Sequence, residues 1–440
     1  MPTKPFTTEG RVEIANVVPQ GALLIHSPQS TEKLTIIRAI DTLRRERVED
    51  QWFRHLLAHV GHTPALDLSI NAIVTACAYY HGVPKLTSRD CYRALARALG
   101  ALQAGIKQSY GVLSDDLLAA TALLTPFEGV VKSHVIHVPT RMHVEGLAAI
   151  LAARSSTHPV TQLAREILDF HICDSAVMAC IQGRPSPFEA IPPAYYTNNR
   201  IGCYDSDSSQ LRALGSELFI RTPRLVGLVR SIQHQPSLQT CLSDAFDLLA
   251  SLLRLQDSQA ESRLLQNIEV RPSKHPGASQ PFHQSLHFAS VDEFEALTYY
   301  WQNRLSLLRL EQCLLDLTAP ITIQTIYADK SEIPFRSHCG PKTNEMFRLI
   351  KNILMSVEYA KTLPLNKHYR QFTHATVIVW GAISDMSKDL RYVMEGAQAS
   401  FWSEQLLQRV PNFTIEDLNM AAEIFVGGEP KGRISQLYNL

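Results

Sequence analysis

Apolar residues recur at spacings of three and four along most of this chain, which is the pattern of helices that bury one face. The clearest stripe has nearly heptad spacing and consists of Tyr92, Leu95, Leu99, Leu102 and Ile106. Strand-like alternation of apolar and polar residues is scarce. The pattern therefore predicts an all-α protein, a large multi-helix domain without a substantial sheet.

Capping residues predict where several helices begin. Ser114 supplies a capping hydroxyl, and the two aspartates after it favour the first turn of a helix that Pro126 ends. Residues 290–293 (SVDE) have the composition of a capping box, and residues 414–417 (TIED) cap a last helix. A further helix is expected over residues 160–180.

The helical pattern stops between Val270 and His287, where Pro, Gly, Ser and Lys give the composition of a solvated loop. The first thirty or so residues also show no clear period and are expected to be loosely held. The predicted organisation is a loosely ordered segment 1–32, a first helical lobe 33–265, a loop or linker 266–290 and a second helical lobe 291–440.

Charge and length exclude several classes of protein. The 440 residues carry 42 Lys and Arg against 42 Asp and Glu, so the formal net charge is zero. Broad, non-specific binding to nucleic acid depends on a surplus of cationic side chains, which this chain lacks. No segment has the 18 or more uncharged apolar residues expected of a membrane span, so no membrane contact is predicted.

The cysteines predict neither a zinc cluster nor a disulfide scaffold. No two of the eight are separated by only two residues, as the thiolates of a structural zinc site normally are. A secretory signal is not evident, which favours a reducing intracellular compartment. The cysteines are Cys77, Cys91, Cys173, Cys180, Cys203, Cys241, Cys313 and Cys339.

Three groups of histidines raise the question of a metal site. His55 and His59 lie one helical turn apart, as a zinc pair would, with His62 just beyond. However, Leu56 stands where a zinc hydrolase carries its glutamate, and no third acidic ligand is evident nearby. We therefore predict structural or surface histidines here and in the two other groups, which are His134, His137 and His143, and His283 and His287.

Candidate enzyme motifs are equally weak. Asp115–Asp116 and Asp205–Asp207 are the nearest approach to the magnesium-binding aspartates of terpenoid synthases, but neither has the second acidic residue three positions on. No Gly-rich phosphate loop, Gly-x-Ser-x-Gly elbow or haem-thiolate signature is present. The sequence thus predicts no enzyme, and it assigns no catalytic, cofactor-binding or metal-ligating residue.

Basic and aromatic clusters have ordinary structural explanations. The arginines at 38, 44, 45, 47 and 54 alternate with acidic residues, which is typical of a solvated helix face rather than a DNA-binding or import signal. No DNA-binding residue is assigned. The aromatic clusters 79–80 and 299–301 lie within helical stripes and are expected to pack in the core.

Five helical segments and one turn follow one another in a distinctive order. They are 72–81 (AIVTACAYYH), 91–99 (CYRALARAL), 117–128 (LLAATALLTPFE), 143–154 (HVEGLAAILAAR), 181–188 (IQGRPSPF) and 299–310 (YYWQNRLSLLRL). In this order and spacing they resemble the "fungal-specific transcription factor" domain, the helical regulatory domain of fungal zinc-cluster transcription factors. The resemblance spans roughly residues 50 to 320.

This resemblance implies a nuclear fungal protein that regulates transcription, often of metabolic or secondary-metabolite genes. Its helical domain would act in regulation, in homo- or heterodimerisation, or in sensing a small-molecule effector. Members of the family usually begin with six closely spaced cysteines that bind two zinc ions and place a helix in the major groove. Residues 1–76 contain no cysteine, so no DNA-binding residue carries over.

Three explanations of this departure stay open. The sequence is shortened relative to such regulators, or the protein regulates through partner proteins or a DNA-binding partner, or the domain serves another task. The alternative to a regulator is an all-α enzyme or a small-molecule binding protein in a biosynthetic pathway. A deep polar pocket with converging carboxylates or imidazoles would favour that alternative.

Overall fold

The computed structural model describes residues 52–109, 113–131, 141–154, 160–196, 206–235, 239–273, 283–327, 340–363, 367–386 and 414–431. Helices make up most of these residues, and the sheet found among them has two strands. The prediction of an all-α protein without a substantial sheet is confirmed. The predicted segment 1–32 and the arginines at 38, 44, 45 and 47 lie outside the described residues.

The elements follow the chain in this order. In the first half they are α1 (Phe53–His59), α2 (Pro64–Tyr80), α3 (Ser88–Gln108), α4 (Asp115–Leu124), α5 (Phe127–Val131), α6 (Arg141–Arg154), α7 (Gln162–Gln182) and two short 3-10 helices, Pro187–Ala190 and Pro193–Tyr195. In the second half they are α8 (Asp207–His234), α9 (Gln239–Leu253), α10 (Ser258–Asn267), β1 (Glu269–Pro272), β2 (Gln284–His287), α11 (Val291–Tyr327), α12 (Gly340–Met355), α13 (Val357–Thr362), α14 (Lys367–Met386) and α15 (Ile415–Ile424).

The predicted helix caps are present. Ser114 Oγ accepts from the Leu117 N–H at 3.4 Å and starts α4. Thr414 and Asp417 form a complete capping box at the start of α15. Ser290 Oγ accepts from the Glu293 N–H at 3.2 Å, but the glutamate accepts from Ala289 rather than from Ser290. Local sequence therefore places these helix starts correctly.

The segment predicted to be a loop contains the two strands of a β-hairpin, one near each end. The strands are antiparallel, with Glu269 opposite His287 and Pro272 opposite Gln284. The loop prediction was wrong for these residues; residues 274–282 lie outside the described part. Leu286 is buried, and Phe288 just beyond β2 meets the ring of Tyr359 at 5.0 Å. Strands of four residues are too short to show their period in a sequence.

The buried face of α3 is rotated from the predicted stripe. Leu95 and Leu102 are buried as predicted, but Tyr92, Leu99 and Ile106 are each about 40% exposed. The small residues Cys91 and Ala98 are buried in their place. Small side chains let α3 lie close against α2, a contact that a count of large apolar residues overlooks. Among the aromatic clusters, 299–301 is buried as predicted, whereas Tyr80 is exposed.

The buried apolar residues form two clusters. One is built mainly from α1–α7 and the other mainly from α8–α15. They meet along α8 and α11, because Phe219 and Tyr299 pack in the first cluster while other residues of the same helices pack in the second. The division into lobes 33–265 and 291–440 stays a prediction.

A charged network joins α7, α8 and α11 where the clusters meet. The Arg212 guanidinium donates to both oxygens of the Asp169 carboxylate, at 3.1 and 2.5 Å, and lies 2.5 Å from the carboxylate of Glu295. Its carbon also lies 5.7 Å from the centre of the Tyr299 ring. Burial opposes the charge of Arg212, but Asp169 and Glu295 outweigh it and raise the pKa of this arginine well above its usual value.

A second arginine, Arg230, caps two chain segments at once. Its guanidinium donates to the carbonyls of Cys180 and Ile181 at the end of α7, and to those of Gly427 and Gly428 after α15, at 2.8 to 3.2 Å. These four carbonyls lie at or just beyond helix C-termini, where the helix dipole favours a cation. Arg230 thus connects parts of the chain that are far apart in sequence.

A third arginine, Arg309 of α11, is only 1% exposed. Its Nε donates to Asp385 at 2.8 Å, and its Nη1 donates to the Ala422 carbonyl at 3.0 Å. Gly381 of α14 leaves the space that the guanidinium fills, because a Cβ at this position would overlap it. Arg309 therefore holds α14 and α15 against α11.

We expect His374 to make stability depend on pH. Burial lowers the pKa of His374 to about 4, below the value of about 6.5 for an unfolded chain. Between these values the unfolded chain binds a proton that the folded chain does not. The stability due to this residue is therefore complete above about pH 6.5 and falls by up to about 1.4 kcal/mol per pH unit between pH 6.5 and the folded-state pKa. Urea unfolding midpoints between pH 7.5 and 5 measure this fall.

The variant His374→Phe isolates this contribution. The imidazole lies between Phe219 and Phe425, with ring centroids 6.3 and 4.6 Å away, so another aromatic ring suits the position. We expect the variant to lose less stability than the wild-type protein as pH falls. An unchanged difference between the two proteins at pH 7.5 and pH 5 would contradict the assignment.

Candidate metal centre at the start of helix α4

The α1–α2 turn brings two histidines together. His59 ends α1, and His62 lies two residues before the start of α2. Gly61 between them has φ +83°, a conformation that favours glycine, and its N–H donates to Asp67 at 2.9 Å. The His62 N–H donates to the His59 carbonyl at 3.1 Å. The turn therefore folds back, and the two imidazole centres lie 5.7 Å apart.

Apolar contacts fix α1 beneath this turn. Phe53, Leu56 and Val60 are each at most 3% exposed. Trp52 packs on Phe53 and Phe170, with ring centroids 4.4 and 6.1 Å away. The backbone that carries His59 is thus held by the first hydrophobic cluster rather than by its own seven-residue helix.

Asp116 approaches the histidines from a different helix. It is the second residue of α4 and is only 7% exposed. Its Oδ1 lies 2.7 Å from His59 Nδ1, within hydrogen-bonding distance. The N-terminus of α4 favours the negative charge of this carboxylate. Asp116 is therefore a buried anion that faces an imidazole 57 residues earlier in the chain.

His59, His62 and Asp116 together form a potential ligand set. One atom from each of the three lies within 4.8 Å of the other two. His62 is exposed, His59 is partly exposed and Asp116 is buried, so the set is open to solvent on one side. Two imidazoles and one carboxylate suit a divalent transition metal such as Zn²⁺. We call these three residues the His59 cluster.

Comparisons of this chain with protein-family models, with curated proteins and with solved structures found no match. None of the helices within the described ranges combines the length and the apolar character that crossing a bilayer requires.

The structure separates the histidine pair that the sequence suggests. His55 turns to Glu166 of α7, with Nε2 3.2 Å from the carboxylate, and Arg54 reaches the same carboxylate at 2.7 Å. His59 turns to Asp116 instead. No third acidic ligand is evident near these histidines in the sequence, but Asp116, 57 residues later, lies beside His59 in space.

The two aspartates of α4 also have separate roles. Asp115 accepts from the Nη2 of Arg154 and from Thr161 Oγ1, the latter at 2.9 Å. Arg154 also donates to the Leu113 carbonyl at 2.9 Å and is only 2% exposed. Asp115 therefore ties α4 to α6, while Asp116 faces the His59 cluster. The sequence identified both as first-turn carboxylates but gave no indication of their different directions.

The other predicted candidates lie apart from this cluster. Asp207 pairs with Arg263 at 2.7 Å, and this hydrogen bond lowers the pKa of the carboxyl group. His287 lies on β2, with Nε2 3.2 Å from Ser285 Oγ. His143 and His283 lie on α6 and just before β2 respectively. His134, His137 and Asp205 lie outside the described residues.

Proposed function

We propose that this chain is a transcriptional regulator of the fungal zinc-cluster type that acts through its helical domain, whose 440 residues do not include the six closely spaced cysteines of a zinc cluster. Its targets would be metabolic or secondary-metabolite genes, and its site of action the nucleus. The proposed partners are transcriptional proteins, including one that binds DNA, with a small-molecule effector and homo- or heterodimerisation as further means of control.

The order of the resembling segments supports this proposal. Segment 72–81 lies on α2, 91–99 on α3, 143–154 on α6 and 299–310 on α11. Segment 181–188 ends α7 at Gly183, which has φ +63°, and leads into a 3-10 helix. Each segment thus supplies a helix or a helix end of the core, as expected if the resembling order of segments reflects a helical regulatory domain.

Segment 117–128 is divided where the sequence predicts, because Pro126 was expected to end the helix that Ser114 begins. It spans α4 and the first residues of α5, with a break at Thr125 and Pro126. Proline lacks the N–H that would continue the helix, which accounts for the break.

Deleting the gene and measuring all transcripts tests the proposal. We expect a defined set of metabolic genes to change, and the wild-type gene to restore it when it is returned. If no gene set changes while one metabolite step stalls, the proposal fails and an enzyme or a small-molecule binding protein is the better account. Fluorescent tagging of the full chain tests the nuclear location in the same strains.

Purified protein tests whether these 440 residues bind DNA by themselves. With 42 basic and 42 acidic side chains, the chain lacks the charge surplus that broad phosphate contact needs. We expect no tight DNA complex in gel-shift assays at physiological salt with genomic fragments from the responsive genes. A tight, sequence-selective shift by this chain alone would contradict the part of the proposal that assigns DNA reading to a partner.

A further inference from the structure

We propose that His59, His62 and Asp116 bind one Zn²⁺ ion, which joins the α1–α2 turn to the start of α4. This inference is independent of the proposed function, since it concerns only the ligand chemistry of the His59 cluster. Bound zinc would cross-link the α1–α2 turn and α4, whose ligands His59 and Asp116 lie 57 residues apart in sequence.

The separation of the ligand atoms is close to what zinc requires. In a tetrahedral site with bonds of about 2.0–2.1 Å, ligand atoms lie roughly 3.3 Å from one another. His59 Nδ1 and Asp116 Oδ1 are 2.7 Å apart, and all three ligand atoms lie within 4.8 Å. A small opening of the first pair and a rotation of the exposed His62 ring bring the set to that geometry.

Two of the three ligand residues, His59 and Asp116, are held in place by helices, and the exposed His62 is the one whose side chain must turn. Asp116 is buried at a capped helix start, and His59 ends a helix with a buried apolar face. His62 is the exposed member and has its backbone fixed by the Gly61 turn, so its side chain needs only a change of rotamer. The fourth coordination position faces solvent and suits a water molecule.

The donor set selects zinc over the abundant hard cations. Mg²⁺ and Ca²⁺ prefer six or more oxygen ligands, whereas this cluster offers two imidazole nitrogens and one carboxylate. Replacing the His59–Asp116 hydrogen bond by bonds to Zn²⁺ leaves the imidazole neutral and the carboxylate negative. When Nδ1 binds the ion, the imidazole stays neutral with its proton on Nε2, and the Asp116 carboxylate contacts the metal instead of the imidazole N–H.

Calorimetric titration of the full chain, first treated with a chelator and kept reduced, measures Zn²⁺ binding directly. We expect the wild-type chain to bind one Zn²⁺ ion. In His62→Ala the Kd should rise by more than about 100-fold, because the loss of a direct ligand costs more than the roughly 10- to 100-fold typical of losing a group that only supports a ligand. His59→Ala and Asp116→Asn should act similarly. His62 is exposed, so the first variant tests binding even if the buried Asp116→Asn variant fails to fold.

His55→Ala is the matched control. His55 lies on the same helix as His59, is similarly exposed and also faces a carboxylate, but it lies outside the cluster. We expect it to bind Zn²⁺ as the wild-type protein does. Co²⁺ then serves as a spectroscopic probe: absorption typical of nitrogen and oxygen ligands, without thiolate charge-transfer bands, would distinguish the cluster from the cysteines.

Three results would overturn the proposal. The first is equal Zn²⁺ affinity and stoichiometry in the wild-type protein and His62→Ala. The second is a Co²⁺ spectrum dominated by thiolate bands that His62→Ala leaves unchanged. The third is Mg²⁺ competing with Zn²⁺ at equal concentration, which would indicate an oxygen-rich site elsewhere. Because these measurements concern metal binding alone, their outcome decides the zinc proposal whatever the transcript experiment shows for the proposed function.

Discussion

Replacing Gly381 by alanine is expected to lower the stability of the protein by about 1–3 kcal/mol. The added Cβ would overlap the buried guanidinium of Arg309. Moving Arg309 breaks its hydrogen bonds to Asp385 and to the Ala422 carbonyl. Overpacking a well-packed site costs about 1–3 kcal/mol, and the lost hydrogen bonds of the buried guanidinium place the expected effect in the upper part of that range. The measurement is the urea midpoint of unfolding, followed by far-UV circular dichroism.

Gly100→Ala is the control, because it is also a glycine-to-alanine change within a helix but has open space for the added Cβ. Gly100 lies within α3, and a Cβ there meets no atom within 4 Å. Alanine is the better helix former, so this variant should be more stable than the wild-type protein by about 0.5–1 kcal/mol. The two substitutions are chemically identical and should therefore have effects of opposite sign.

A double variant shows whether Arg309 is the cause. In an Arg309→Met background the guanidinium is absent, so Gly381→Ala should cost much less than in the wild-type protein. Equal losses in the two backgrounds would show that the glycine matters for a reason other than space for Arg309.

Replacing Arg154 by methionine is expected to cost about 3 kcal/mol. Arg154 is 2% exposed and pairs with Asp115, and it also donates to the Leu113 carbonyl at 2.9 Å. Methionine keeps much of the apolar stem but leaves a partly buried carboxylate and a carbonyl without their donor. Removing one partner of a buried pair costs about 3–5 kcal/mol, and the helix N-terminus beside Asp115 reduces this somewhat. Urea unfolding again measures the loss.

Two further variants make the Arg154 result specific. Adding Asp115→Asn to Arg154→Met removes the unpaired charge and should recover part of the lost stability. Arg93→Met breaks an exposed pair with Asp90, where the arginine side chain is 63% exposed, and should leave the urea midpoint unchanged within error. A similar loss in both methionine variants would mean that burial of the Arg154 pair is not the cause.

Local signals in the sequence predict the elements of this fold well. Ser114, Thr414 and Ser290 mark helix starts because a cap acts within three residues of itself. The proline and glycine at 183–185 mark the end of α7 for the same reason. Such interactions are encoded within one or two turns, so a single sequence suffices to find them.

Contacts between distant segments are what the sequence leaves undetermined. Asp115 and Asp116 are identical neighbours, and only the packing of α4 directs one to Arg154 and the other to His59. The i and i+4 spacing of His55 and His59 suggested a shared ligand face, but each meets a carboxylate from a different helix. The candidate metal centre depends on such a contact, so no local motif predicts it.

Arg230 has a consequence for how the protein is made. It donates to two carbonyls made about fifty residues before it and to two made 197 and 198 residues after it. On the ribosome, the end of α7 and Arg230 therefore meet early, while the glycine carbonyls after α15 arrive much later. Non-local contacts of this kind form slowly. Arg230 can therefore complete its set of four hydrogen bonds only after residues 427 and 428 have been synthesised, so this part of the packing forms late.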